Sequence, residues 1–153
     1  MWILTLTTGI LLLPILAFVW FGRTRRLRHA RIMQARKFTL TRLDPPGESW
    51  KLEKDNKQLT FGLDLLSWRE GFVVYASDFE KWENGTRLRE EDFRTVLEDV
   101  RSIWPKLNVW TDSKDAAKFE SWLAAAGWKT NDTREGGVTI WRYSPRKQEG
   151  PVR

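Results

Sequence analysis

At 153 residues with no cysteine and a single histidine, the chain excludes disulfide and thiolate chemistry. With the single histidine, His29, in the basic stretch after the apolar run, a structural zinc site is implausible, and a Ser-His or Cys-His nucleophile pair is excluded unless another residue replaces the base. The formal charge of +6 is unevenly placed: residues 1–22 carry no charged side chain, and residues 23–42 hold eight cations and no acid, so the remaining 18 of 26 cations face all 20 acids. With no basic excess on the rest of the chain to track a phosphate backbone, nucleic acid is not an expected partner.

From Trp2 to Gly22 the chain reads WILTLTTGILLLPILAFVWFG. A helix rising about 1.5 Å per residue needs about 20 apolar residues to cross a bilayer core, so residues 1–22 predict a transmembrane anchor through which the chain meets the lipid bilayer. The hydroxyls of Thr5, Thr7 and Thr8 can return to carbonyls a turn earlier, and Pro14 predicts a kink of the kind membrane helices accept. Trp2 and Trp20 lie about 27 Å apart on such a helix and suit the two interfacial aromatic belts. The run is preceded by no Lys or Arg and ends in Phe18-Val19-Trp20-Phe21 rather than small residues, which argues against a cleaved signal peptide.

Residues 23–36 form a basic juxtamembrane segment in which Arg23, Arg25, Arg26 and Arg28 fall at the membrane interface. The positive-inside rule then predicts an inner (plasma) membrane location with the N-terminus outside and the C-terminal domain in the cytoplasm. The segment is expected to continue as a helix along or just under the headgroups, as a topogenic stop or a lipid-docking element.

Beyond Lys37 the periodicity changes. Residues 37–41 alternate as a strand, Asp44-Pro45-Pro46-Gly47 is a break, and residues 50–53 and 58–63 predict an antiparallel pair joined through Asp55-Asn56-Lys57. Phe72 to Ala76, the most apolar and β-branched run of the domain, predicts a central strand, followed by a loop over 78–85. In 89–104, Phe93, Val96, Leu97, Val100, Ile103 and Trp104 form one stripe at helical spacing; Glu90, Glu91 and Asp92 sit in the first turn, and Pro105 stops the helix. Residues 107–110 predict a short strand. Ser113 caps a second helix through Ala126, with Phe119 and Leu123 inward and Gly127 at its end, and residues 128–131 and 138–143 form a closing hairpin. Residues 145–153 are expected to be a disordered tail. The order predicts an α+β domain over 37–144, a mainly antiparallel sheet with two helices on one face.

No glycine-rich phosphate loop or calcium loop occurs, so no cofactor or metal is expected. Carboxylates remain as the one route to catalysis, and Asp78, Glu80 and Glu83 share the loop after the best strand. Tryptophan is the other anomaly, at ten residues. Trp82 stands in that same loop among charges and Trp68 just precedes Arg69-Glu70-Gly71, which makes both candidates for partner contact.

Over residues 57–112 the succession of features resembles the small immunity proteins of bacterial polymorphic-toxin systems. A strand ending Val73-Val74-Tyr75 leads to a loop with Trp82-Glu83, a helix opening Glu90-Glu91-Asp92, and a strand at Asn108-Val109-Trp110. Arg89 departs from the Ser or Thr cap expected there, and the second helix, final hairpin and anchor lie outside the pattern. The resemblance implies a non-catalytic protein that binds a cognate toxin, with Asp78, Glu80, Trp82 and Glu83 as the presenting loop. Two other readings stand beside it: a structural or assembly subunit of a bacterial membrane complex, and a carboxylate-dependent enzyme.

Overall fold

The computed structural model describes residues 3–43, 48–112, 116–134 and 138–144; within these, the side chains of 3–16, 18, 19, 116 and 131–134 lie outside the description. Trp2, the Asp44–Gly47 break, the Ser113 cap, the Gly136-Gly137 turn and the tail from 145 therefore fall outside the described residues. The chain divides into two units, Met1–Arg36 and Lys37–Arg153.

The first unit is one helix, α1 (Ile3–Arg36), unbroken through Pro14 and about 51 Å long. Lys37, at φ 56°, takes the left-handed conformation that ends it. Among the described residues no helix is long and apolar enough to cross a membrane; most of the apolar run expected to do so, residues 3–16, 18 and 19, has its side chains outside that set.

The second unit is α+β, with two sheets where the sequence predicts one. β1 (Phe38–Arg42), β2 (Ser49–Lys54) and β3 (Lys57–Gly62) form an antiparallel meander. Its alternation is clean. Phe38, Leu52, Leu59 and Phe61 are buried on one face, while Thr39, Glu53 and Thr60 on the other are exposed. The β2–β3 turn uses Asp55 and Asn56 at φ 51° and 61°, a left-handed pair that Asp and Asn tolerate better than most residues and that matches the strand twist.

The second sheet has the order β4-β5-β6-β8-β7, from β4 (Asp64–Ser67), β5 (Gly71–Tyr75), β6 (Leu107–Thr111), β7 (Trp128–Arg134) and β8 (Val138–Tyr143). Only β5 and β6 run parallel, joined by a crossover through α2 (Glu90–Ile103). Because a parallel pair needs such a crossover, β5 is covered on both faces: Val73 and Val74 are each fully buried. β4 is the strand that the sequence reading missed. It follows β3 after Leu63 alone, so the chain passes from one sheet to the other with no turn signal.

α2 begins as expected at Arg89, whose N–H donates to the Asp92 carboxylate at 3.4 Å. α3 (Ala116–Ala125) ends at Gly127, φ +85°, as predicted. α2 contacts both sheets. Trp104 at its end packs edge-on against Trp50 of β2, with ring centroids 5.0 Å apart, and also against Phe72 of β5. On the same helix, Asp99, 1% exposed, accepts from Lys54 Nζ of β2 at 2.6 Å.

Lys54→Met takes one partner from a carboxylate that is 1% exposed, whereas replacing both side chains with apolar groups of similar volume is close to neutral. Lys54→Met should therefore cost about 1–3 kcal/mol, and Lys54→Met combined with Asp99→Leu should recover most of it. Urea unfolding of the two single variants and the double variant checks this; additive losses would show that the pair is not coupled.

Candidate partner-binding surface

Two loops carry the residues singled out from sequence, and the fold treats them oppositely. The first is the β4–β5 hairpin. A bulge between Leu65 and Ser67 shifts its register, and the tip runs from Ser67 to Gly71. Glu70 N–H donates to Ser67 Oγ at 3.0 Å, which closes the turn. Gly71 adopts φ +88°, and a Cβ there would overlap the Lys106 carbonyl oxygen and side chain, so only glycine fits. That carbonyl accepts the Phe72 N–H at 3.0 Å.

The tip is then tied to the neighbouring strands by a buried amide. Asn108 of β6, 2% exposed, donates through Nδ2 to the carbonyls of Glu70 and Phe72, both at 2.9 Å. Its Oδ1 accepts from Arg142 Nε of β8 at 3.0 Å, and Arg142 Nη2 lies 3.4 Å from Glu70 Oε1. The Asn108 amide thus both donates and accepts, tying the C-terminal side of the turn at Glu70 and Phe72 to β6 and β8. On the same hairpin, two residues before Glu70, Trp68 is 87% exposed, and Leu65 of β4 is 47% exposed. Among the described tryptophans of the domain no other is classed as exposed.

The second loop, from the 3-10 turn Ala76–Phe79 to Leu88, is packed down. Trp82, expected to present its indole to a partner, is only 3% exposed, and that expectation is corrected. The cause is a set of backbone bonds that fold the loop into a small hairpin. Trp82 N–H donates to Thr86 O at 2.8 Å, Gly85 N–H to Trp82 O at 2.9 Å, and Leu88 N–H to Glu80 O at 2.9 Å. The indole lies beneath Lys57 Nζ, 5.2 Å from the ring centroid, and its Nε1 has no hydrogen-bond partner. It lines a groove of about 190 Å³ with Lys54, Lys57, Glu91, Asp92 and Thr95.

The three carboxylates of this loop are also separated. Glu83 is exposed and turns to β2 and β3, accepting from Thr60 Oγ1 at 2.7 Å and pairing with Lys51 Nζ at 3.2 Å, contacts that lower its pKa. Glu80 is half-buried and uses its backbone in the hairpin. Asp78 turns the other way and accepts the Gly62 N–H at 2.8 Å. Partial burial and the nearby Asp64 carboxylate push its pKa up, against the lowering effect of the Gly62 bond. Tyr75 joins this second group by donating its hydroxyl to Asp64 Oδ2 at 3.1 Å; burial, then Asp64, raises its pKa. Sequence reasoning missed Asp64 and Tyr75, because no local pattern reveals that β4 lies beside β5. The expected trio Asp78, Glu80 and Glu83 does not converge. Among the described residues no group of three His, Asp or Glu side chains is placed to hold a metal ion.

No family model matches this chain, and no curated protein matches it.

Two outcomes follow. Trp82→Ala should destabilise the domain by about 3–5 kcal/mol, the range for deleting a buried large aromatic; an unchanged urea midpoint would place the ring at the surface. For Asp78, the native carboxyl keeps its proton to higher pH than the unfolded one. Stability is therefore lost as pH rises from the ordinary aspartate range through the raised value. Asp78→Asn retains an acceptor for Gly62 and should flatten that decline, seen as a smaller difference between urea midpoints at acid and neutral pH; an unaltered slope would mean Asp78 is not its source.

Proposed function

We propose that this chain is a membrane-anchored, cytoplasm-facing protein-binding domain, in the manner of an immunity protein that neutralises a cognate toxin. The observation that carries the binding assignment is Trp68, a nearly fully exposed indole on a turn locked by Gly71, Asn108 and Arg142. Tryptophan is enriched among residues that dominate interface energy, since it buries much area with only two torsions to order. A turn that is already tied to its neighbouring strands spares the partner part of the cost of ordering it. Leu65 on the same hairpin extends the apolar surface, and Glu70 and Arg142 supply a charged rim.

The membrane part of the reading is supported by the uncharged run of residues 2–22 and the arginines that follow it. The immunity part is supported by the succession of a strand (β5), a loop with Trp82-Glu83, a helix with an acidic start (α2) and a strand (β6). With Trp82 buried, the presenting surface moves from the 78–83 loop to the hairpin that carries Trp68.

The test is affinity capture with full-length, detergent-solubilised protein, followed by titration of the partner it retains. Trp68→Ala should leave the urea midpoint within about 0.5 kcal/mol of wild type, as for an exposed side chain, yet weaken binding by about 2 kcal/mol, or roughly thirtyfold. Equal affinity in the variant would remove this hairpin from the interface. If partners are lost instead when residues 1–22 are replaced by an unrelated apolar helix, the chain is a subunit assembled through its anchor.

A further inference from the structure

The arginines after the apolar run have an arrangement that the sequence order conceals. α1 continues through them without a break to Arg36. At about 100° per residue, and taking Arg23 as zero, Arg31 falls at about 80°, Arg28 at 140°, Arg25 at 200° and Arg26 at 300°. No gap between neighbours exceeds about 100°, and all five are exposed. Leu27, Ile32 and Met33 are equally dispersed, at about 40°, 180° and 280°. A helix that lies in the membrane plane needs one apolar face and one basic face. This segment has neither, so the expectation that it runs along the headgroups gives way to one in which it leaves the bilayer upright.

We infer that Arg23, Arg25, Arg26, Arg28 and Arg31 form a collar that grips anionic phospholipid headgroups around the whole circumference of α1. This rests on the anchor reading of residues 2–22. Arg23 to Arg28 lie within about 9 Å of Gly22 along the axis, about the depth of the headgroup layer. The Cα–Cβ bonds of a helix tilt toward its N-terminus, so each of these side chains leans back toward the phosphates, including that of Arg31 about 14 Å out. All five are arginine, whose planar fork engages phosphate oxygens two at a time, where lysine would offer a point charge. His29, in their midst, is held toward its neutral form, because burial and then Arg25 and Arg28 lower its pKa.

The experiment uses the full chain reconstituted in phosphatidylcholine vesicles doped with phosphatidylglycerol, with spin-labelled lipids reporting which species is held at the protein surface. Phosphatidylglycerol should be preferred about fivefold over phosphatidylcholine. That preference should vanish when all five arginines become glutamine. The pairs Arg25→Gln with Arg28→Gln and Arg23→Gln with Arg26→Gln, centred at about 170° and 330° and so on nearly opposite sides of the helix, should each remove a comparable part. A loss confined to one pair would overturn the encircling arrangement. No preference in the wild type, or an undiminished one in the five-fold variant, would overturn the collar while leaving the anchor standing. A chain that alkaline carbonate strips from the vesicles would overturn the anchor reading and the collar together.

Discussion

A file of aromatic rings carries the domain. Phe61 of β3 meets Phe79 of the 3-10 turn at 5.4 Å between centroids, Phe79 meets Phe93 of α2 at 6.0 Å, and Phe93 meets Phe119 of α3 at 5.3 Å. All four are 1% exposed or less. The file links the three-stranded sheet to both helices, and its edge-on and tilted contacts suit the ring quadrupoles. It also dictates where the loop after β5 must go. Phe79 can reach Phe61 and Phe93 only if the chain drops into the core directly after Tyr75, and that drop draws the 80–88 segment down with it.

The contrast between Trp68 and Trp82 follows from this constraint. Both stand in polar, charged surroundings in the sequence. Trp82 lies three residues beyond Phe79, on a loop whose backbone bonds are already committed to Thr86 and to Gln58 of β3, so its ring is buried. Trp68 lies on a turn outside the aromatic file, whose C-terminal side is tied to β6 where the Asn108 amide bonds the carbonyls of Glu70 and Phe72.

Charge is partitioned as sharply as apolar surface. The basic excess belongs to α1 alone, since residues 37–153 hold 20 cations and 20 acids; within the domain Lys54 pairs with Asp99, Lys51 with Glu83 and Arg142 with Glu70. The first of these is buried and holds α2 against β2; the others are half-exposed and contribute position more than stability. Helix and domain thus differ in surface, a run of exposed arginines in one and charges paired with one another in the other.

The local elements are legible in the residues alone, because their signals are local. The stripe from Phe93 to Trp104, the acidic first turn, Pro105, Gly127 and the Asp55-Asn56 turn each act over one or two helical turns or one pair of strands, and those elements stand where they were read. The charge partition is legible in the same way, being a matter of counting. Whatever depends on non-local pairing emerges only in the folded chain. That includes the splitting of the strands into two sheets, the parallel pairing of β5 with β6, and the presence of β4, whose short run carries no alternation of its own. The same holds for the candidate surface. Trp68 was legible as an oddity, but the turn that carries it is tied at Glu70 by Asn108 and Arg142, which stand 38 and 72 positions beyond Glu70 in the chain. Trp82 looked equally available until Phe79 entered the core. A tryptophan's type says that it can bury a large area; which surface covers it is set by contacts that have no sequence spacing.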